Sequence, residues 1–125
     1  MAKVMLIDKD LSQGNMLAEM IKQTHHEVVL VHSVAEAVGI FKREPIDLVV
    51  LDIVPEADAA LTVAGVRKGV DDVLQRKIPL LVVAKSFSES AFLLERGDVD
   101  VLVEVPTHAD QLKQMVEQYV GCKVK

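Results

Sequence analysis

The chain holds a single cysteine, Cys122, among its 125 residues. One thiol cannot close an internal disulfide, so the fold must stand on its hydrophobic core, and nothing points to an oxidising compartment. Basic residues are also short. Lys and Arg number 14 against 19 Asp and Glu, giving a formal charge of −5. A phosphate-tracking surface needs clustered Lys and Arg, so nucleic acid is not the expected partner. No apolar run approaches membrane-spanning length, and the apolar stretch after Lys3 is broken by Asp8, too early for a signal peptide. Low-complexity tracts, internal repeats and linkers are absent as well. What remains is a half-hydrophobic chain of single-domain length, expected to form one cytoplasmic domain over residues 1–125.

Hydrophobic periodicity sets the fold class. Five short apolar runs read as strands: Val4 to Ile7, Val28 to Val31, Ile46 to Leu51, Leu80 to Ala84 and Val99 to Val103. They are rich in Val, Leu and Ile and mostly do not alternate with polar residues, as expected of parallel strands covered on both faces. Amphipathic stretches lie between them. The first spans Leu11 to Thr24, with Met16, Leu17, Met20 and Ile21 as its apolar stripe. The second opens at Ser33 with Glu36 three residues on, a capping box, and must stop before Pro45. A third covers Asp58 to Arg76 and is expected to fray near Gly69. A fourth runs from Ser88 to Arg96 and ends at Gly97, and the last opens at Thr107 and buries Leu112, Met115, Val116 and Tyr119. The order is (βα)5. It predicts a flavodoxin-like doubly wound parallel sheet, strand order 2-1-3-4-5, with the ligand site beyond the carboxyl ends of strands 1 and 3. Asp8 and Asp52 close those two strands.

The stretches Val4-Met5-Leu6-Ile7-Asp8-Lys9-Asp10, Pro45-Ile46-Asp47-Leu48-Val49-Val50-Leu51-Asp52-Ile53-Val54-Pro55 and Ile78-Pro79-Leu80-Leu81-Val82-Val83-Ala84 resemble response regulator receiver domains of the stand-alone chemotaxis kind. Gly97 and Pro106 are weaker echoes, and the resemblance spans essentially the whole chain. It implies two-component phosphorelay signalling, in which a histidine kinase phosphorylates an Asp at the Asp52 position. It also implies an acidic pair holding Mg²⁺, with Asp8 as its first member, then a hydroxyl after strand 4 and a Lys after strand 5. Several positions depart from that pattern. Lys9 replaces the second acid and Asp10 follows one place late; Ala84, then Lys85, stands at the hydroxyl position; Glu104 or Val105 stands where the Lys belongs. The stretch from Asp52 to Pro55 is one residue short, and Val101 or its neighbour replaces an aromatic.

These departures change the electrostatics. In the family pattern three carboxylates, a divalent cation and a lysine sum to zero. Here Asp8, Asp52 and Lys9 leave one negative charge, which Lys85 cancels if it points inward. Two readings of Lys9 stand side by side: an ammonium in the cation's place, paired with Asp52 or Asp8, or a solvated loop lysine. A lysine beside the pair disfavours Mg²⁺, so metal binding through Asp8 and Asp52 is expected to be weak at most.

The resemblance with these departures implies a degenerate receiver, a pseudo-receiver that binds proteins and is not an enzyme. Its partner is a histidine kinase or a downstream effector, or a second copy through the fourth helix, fifth strand and fifth helix. The alternative is a receiver that accepts a phosphoryl group on Asp52. A flavin or cobalamin carrier is disfavoured, because Asp8-Lys9-Asp10-Leu11 is acidic and offers no phosphate-binding glycine loop. The His25-His26 pair reads as turn and surface residues, the Met16/Met20 stripe as core filling, and Cys122 as a bystander.

Overall fold

A computed structural model describes residues 2–53, 63–69, 78–84, 92–95, 99–104 and 109–120. Five strands are present: β1 (Lys3–Ile7), β2 (Glu27–Val31), β3 (Leu48–Asp52), β4 (Leu80–Ala84) and β5 (Val101–Glu104). All pair in parallel, in the order β2-β1-β3-β4-β5. The helical segments are α1 (Leu11–Lys22), α2 (Val34–Phe41), α3 (residues 63–69), α4 (Phe92–Glu95) and α5 (Ala109–Val120). The expected doubly wound sheet is therefore the observed one.

The non-alternating strands are explained by two cores, one on each face of the sheet. Val4, Leu6, Leu48, Val50, Leu81 and Val83 pack with Leu17, Ala18 and Ile21 of α1 and with Leu112 and Val116 of α5. The intervening Met5, Ile7, Val49, Leu51, Leu80 and Val82 pack with Ala37, Ile40 and Phe41 of α2 and with Val63 and Val66 of α3. Successive strand residues point to opposite faces, so a strand covered twice must be apolar at every position.

Local details differ from the expectations in instructive ways. Met16 is 48% exposed, so it is not core filling; Gly14, Leu17, Ala18 and Ile21 make the buried stripe of α1, with Met20 half-buried beside it. The missing side chain at Gly14 lets α1 sit close to the sheet, and Met16 falls outside the stripe that Gly14 shares with Leu17, Ala18 and Ile21. Strand β5 starts at Val101 and not at Val99, because Asp100 is used as a side-chain acceptor. Its Oδ2 takes Leu80 N–H at 2.7 Å and the guanidinium of buried Arg67 at 3.1 Å, while Arg67 also donates to Ile78 O at 2.8 Å. Ser33 caps α2 by accepting from Glu36 N at 3.1 Å. The described part of the third helix ends at Gly69, where a Cβ would lie 2.9 Å from Val38 Cγ2, and the expected fraying beyond it lies outside the described residues. Gly69 thus serves the close approach of α3 to α2. The rest of the expected third helix, Gly97, Pro106, Thr107, His108 and Cys122 lie outside the described residues.

His25 has φ 66, the left-handed conformation that turns the chain out of α1 toward β2. His26 accepts from Ala2 N at 3.0 Å through Nδ1, so its Nε2 carries the hydrogen donated to Glu117 of α5 at 2.6 Å. Both histidines have structural duties, as their place before β2 suggests.

Candidate functional site

Strand register brings the two singled-out acids together. Ile7 pairs with Leu51 across β1 and β3, so the next residues, Asp8 and Asp52, meet at the carboxyl edge of the sheet. Both continue the face of Leu6 and Val50, the one covered by α1. Asp8 is fully buried and Asp52 is 5% exposed.

Asp8 Oδ1 accepts from Asp10 N at 2.9 Å, and Asp8 Oδ2 is buried with no hydrogen-bond partner. Burial raises the Asp8 pKa to about 8, with the adjacent Asp52 carboxylate adding to the rise and the bond from Asp10 N opposing it. Burial and the neighbouring carboxylate thus both favour the neutral form of Asp8. Backbone bonds fix the frame: Asp8 N donates to Val31 O at 2.9 Å and Ile53 N to Val83 O at 3.1 Å. His32 Nδ1 lies 3.0 Å from Asp8 O at the rim.

Lys9 does not enter this site. It is exposed and makes no ion pair with Asp8 or Asp52, so the ammonium-for-cation reading is corrected in favour of the solvated one. The physical reason is strand parity. A residue after Asp8 turns away from the face that Asp8 shares with Val4 and Leu6, and water solvates an ammonium better than a buried edge does. Asp10 does not replace the missing acid either. It is the N-cap of α1, with Oδ1 accepting from Gln13 N at 3.0 Å.

A group that does reach the pair is Gln13, which the sequence reading did not single out. Its Nε2 donates to Asp52 Oδ2 at 2.8 Å. Three residues after the cap, it stands where a capping-box side chain would, and this is the signal that marks it.

Among the described residues, the remaining edge positions supply no phosphate-binding group. Ala84 is fully buried in the core on the other face and has no hydroxyl. Glu104, its partner across β4 and β5, is exposed and acidic. Lys85, Val105, Val54 and Pro55 lie outside the described residues.

Mg²⁺ requires near-octahedral oxygen coordination. The described residues offer two carboxylates, one of them already engaged by Gln13, and no group of three acidic, His or Cys side chains able to hold a metal ion. The orphaned Asp8 Oδ2 is the one feature suited to a cation, and a shared proton also satisfies it. Among the described residues this set is one carboxylate short of the expected pattern, and Asp52 would have to give up its bond from Gln13 to ligate Mg²⁺ through that oxygen.

No protein-family model matches the sequence, and no curated protein is significantly similar to it. Solved structures are similar over nearly the whole chain. A response regulator from Thermotoga maritima has TM-score 0.80 at 16% identity, covering 97% of this chain and 98% of that one. The receiver domain of a sensor histidine kinase from Pseudomonas aeruginosa, with a magnesium ion coordinated in its active site cleft, has TM-score 0.79 at 13% identity, covering 97% and 98%. A non-phosphorylated HemR receiver domain from Leptospira biflexa has TM-score 0.74 at 20% identity, covering 100% and 98%. The fold is thus that of response regulator receiver domains.

Proposed function

We propose that the chain is a receiver-type module of two-component signalling that acts in the cytoplasm by binding another protein, with little or no Mg²⁺-dependent phosphorylation and no enzymatic turnover. The observation that carries this reading is the buried Asp8–Asp52 pair, with the Gln13 amide bonded to Asp52 and Lys9 turned to water. Phosphoryl transfer depends on positioning and on neutralising charge over the equatorial oxygens. In this chain Lys9 replaces an acid, Ala84 replaces a hydroxyl, and Glu104 adds negative charge at the edge. Among the described residues, Asp52 then keeps the acceptor's place without the hydroxyl and second acid of the family pattern.

The partner, a histidine kinase or an effector, is expected on the face of α4, β5 and α5, where Phe92 is 44% exposed on α4. The same face would serve a homodimer. If binding is independent of phosphorylation, Asp52→Ala and Asp52→Glu bind the partner as the wild type does.

A phosphorylation-competent receiver is the second reading, favoured by the juxtaposition of two buried carboxylates at the carboxyl edge. Intact-mass measurement after incubation with acetyl phosphate and Mg²⁺ separates the two. The first reading expects unmodified protein. Efficient modification of the wild type but not of Asp52→Asn would establish the second.

A further inference from the structure

Asp10 and Gln13 have capping-box spacing, yet only half of the box forms. In a complete box the side chain at the third helical position returns to the N–H of the cap residue. Here that N–H is already taken, because Asp10 N donates to Asp8 Oδ1 at 2.9 Å. The Gln13 backbone still completes the cap through Asp10 Oδ1, and its side chain is released to reach Asp52 Oδ2. A chain of three bonds, Asp10 to Asp8, Gln13 to Asp10 and Gln13 to Asp52, therefore ties the start of α1 to both strand ends.

We propose that Gln13 is the residue that keeps divalent cations off the Asp8–Asp52 pair, and that replacing it with glutamate turns the pair into a three-carboxylate cation site. This deepens the reading above and rests on its premise that the native pair binds Mg²⁺ poorly. Gln13 Nε2, whose hydrogens carry partial positive charge, sits 2.8 Å from the Asp52 oxygen that would ligate a cation, so a cation there meets both a displaced bond and electrostatic repulsion. Asp8 Oδ2, buried and without a hydrogen-bond donor, is an oxygen that a cation could take up once Asp8 is ionised. A glutamate at position 13 has the same shape but puts a carboxylate oxygen where the amide nitrogen was. Three carboxylates in one place repel each other until a cation enters, and cation affinity rises with ligand charge.

The test is Mn²⁺ binding followed by calorimetry and electron paramagnetic resonance, on wild type, Gln13→Glu, Gln13→Ala and the double variant Gln13→Glu/Asp52→Asn. Thermal melts in EDTA and in Mg²⁺ accompany each variant. Gln13→Glu should bind at least about tenfold more tightly than wild type, melt lower in EDTA and recover in Mg²⁺. Gln13→Ala, which removes the donor and adds no charge, should gain about two- to fivefold. Adding Asp52→Asn should abolish the gain. The cap bond comes from the backbone of residue 13, so both variants retain it, and Gln13→Ala carries the test if the glutamate variant fails to fold. Weak binding by wild type with no gain in either variant overturns the role of Gln13 alone. Tight binding by wild type, together with its modification by acetyl phosphate, overturns the functional reading beneath it.

Discussion

A carboxyl group that ends β1 on the face of Val4 and Leu6 has to leave water, and Asp8 is compensated there by one backbone N–H, a neighbouring acid and a proton. The sign of its pH dependence follows. The folded-state pKa is raised to about 8 from an ordinary value of 3.8, so between those limits the native state holds a proton that the unfolded chain has released. This contribution therefore weakens folding progressively as pH rises from about 4 to about 8 and levels off above. Asp8→Asn removes that slope, keeps an acceptor for Asp10 N and offers an N–H to Asp52. It should be more stable than wild type at pH 8 by about 1–3 kcal/mol and gain little at pH 5, read from urea midpoints across that range. Parallel pH profiles for the two proteins would refute the account. Lys9 behaves oppositely. Exposed and without an ion pair, it can become alanine with a change within about 0.5 kcal/mol in a thermal melt, whereas an inward lysine would cost several times more. Asp8 and Asp52 were legible because a strand end is a fixed place in a doubly wound sheet. The direction of Lys9 was legible only from strand parity, and Gln13 only from the cap spacing, since its partner is 39 residues away in sequence.

At the scale of elements, helix α1 is set by what Gly14 lacks. A Cβ at Gly14 would stand 3.1 Å from Asp8 Cβ and 3.4 Å from Leu30 Cδ1, so a side chain there would press on β1 and require a shift of a few tenths of an ångström. Gly39 in α2 is the contrasting case, exposed and with nothing within 4 Å of a Cβ. Alanine is the better helix former at both sites by about 1 kcal/mol, so packing alone decides the difference. Gly39→Ala should stabilise by about 0.5–1 kcal/mol, while Gly14→Ala should destabilise by about 1–3 kcal/mol because β1 and Asp8 cannot give way. Chemical denaturation reads both, and stabilisation by Gly14→Ala would mean that α1 is free to shift. Strand and helix positions were legible from apolar runs and caps. The outward turn of Met16 was not, because a glycine reads in sequence as a weak helix residue and its use as a contact point depends on the strand beneath it. Arg67 and Asp100 escaped notice for a similar reason: each reads as an ordinary surface charge until α3 is laid against the starts of β4 and β5.

For the whole molecule, one sheet carries two cores, and every residue of β3 and β4 is buried while β2 is mostly half-exposed. Neither core can be lost while the other survives, because adjacent residues of the same strands belong to both. Leu17→Ala on the α1 face and Phe41→Ala on the α2 face remove large buried side chains and should each cost about 2–5 kcal/mol. If the sheet couples the faces, each variant lowers the stability of both together, and far-ultraviolet and near-ultraviolet circular dichroism report one coincident transition. Two separated transitions, or loss of one face alone, would show the cores to be independent. Amide exchange should grade the same unit, with β1, β3 and β4 slowest and β2 faster by about tenfold or more, because an edge strand opens without exposing the central ladder. The site gains its rigidity from this arrangement. Asp8 follows β1 and Asp52 ends β3, two strands expected to exchange slowest, so the charge and donors at that edge change through side chains such as Gln13, with the backbone beneath them held fixed.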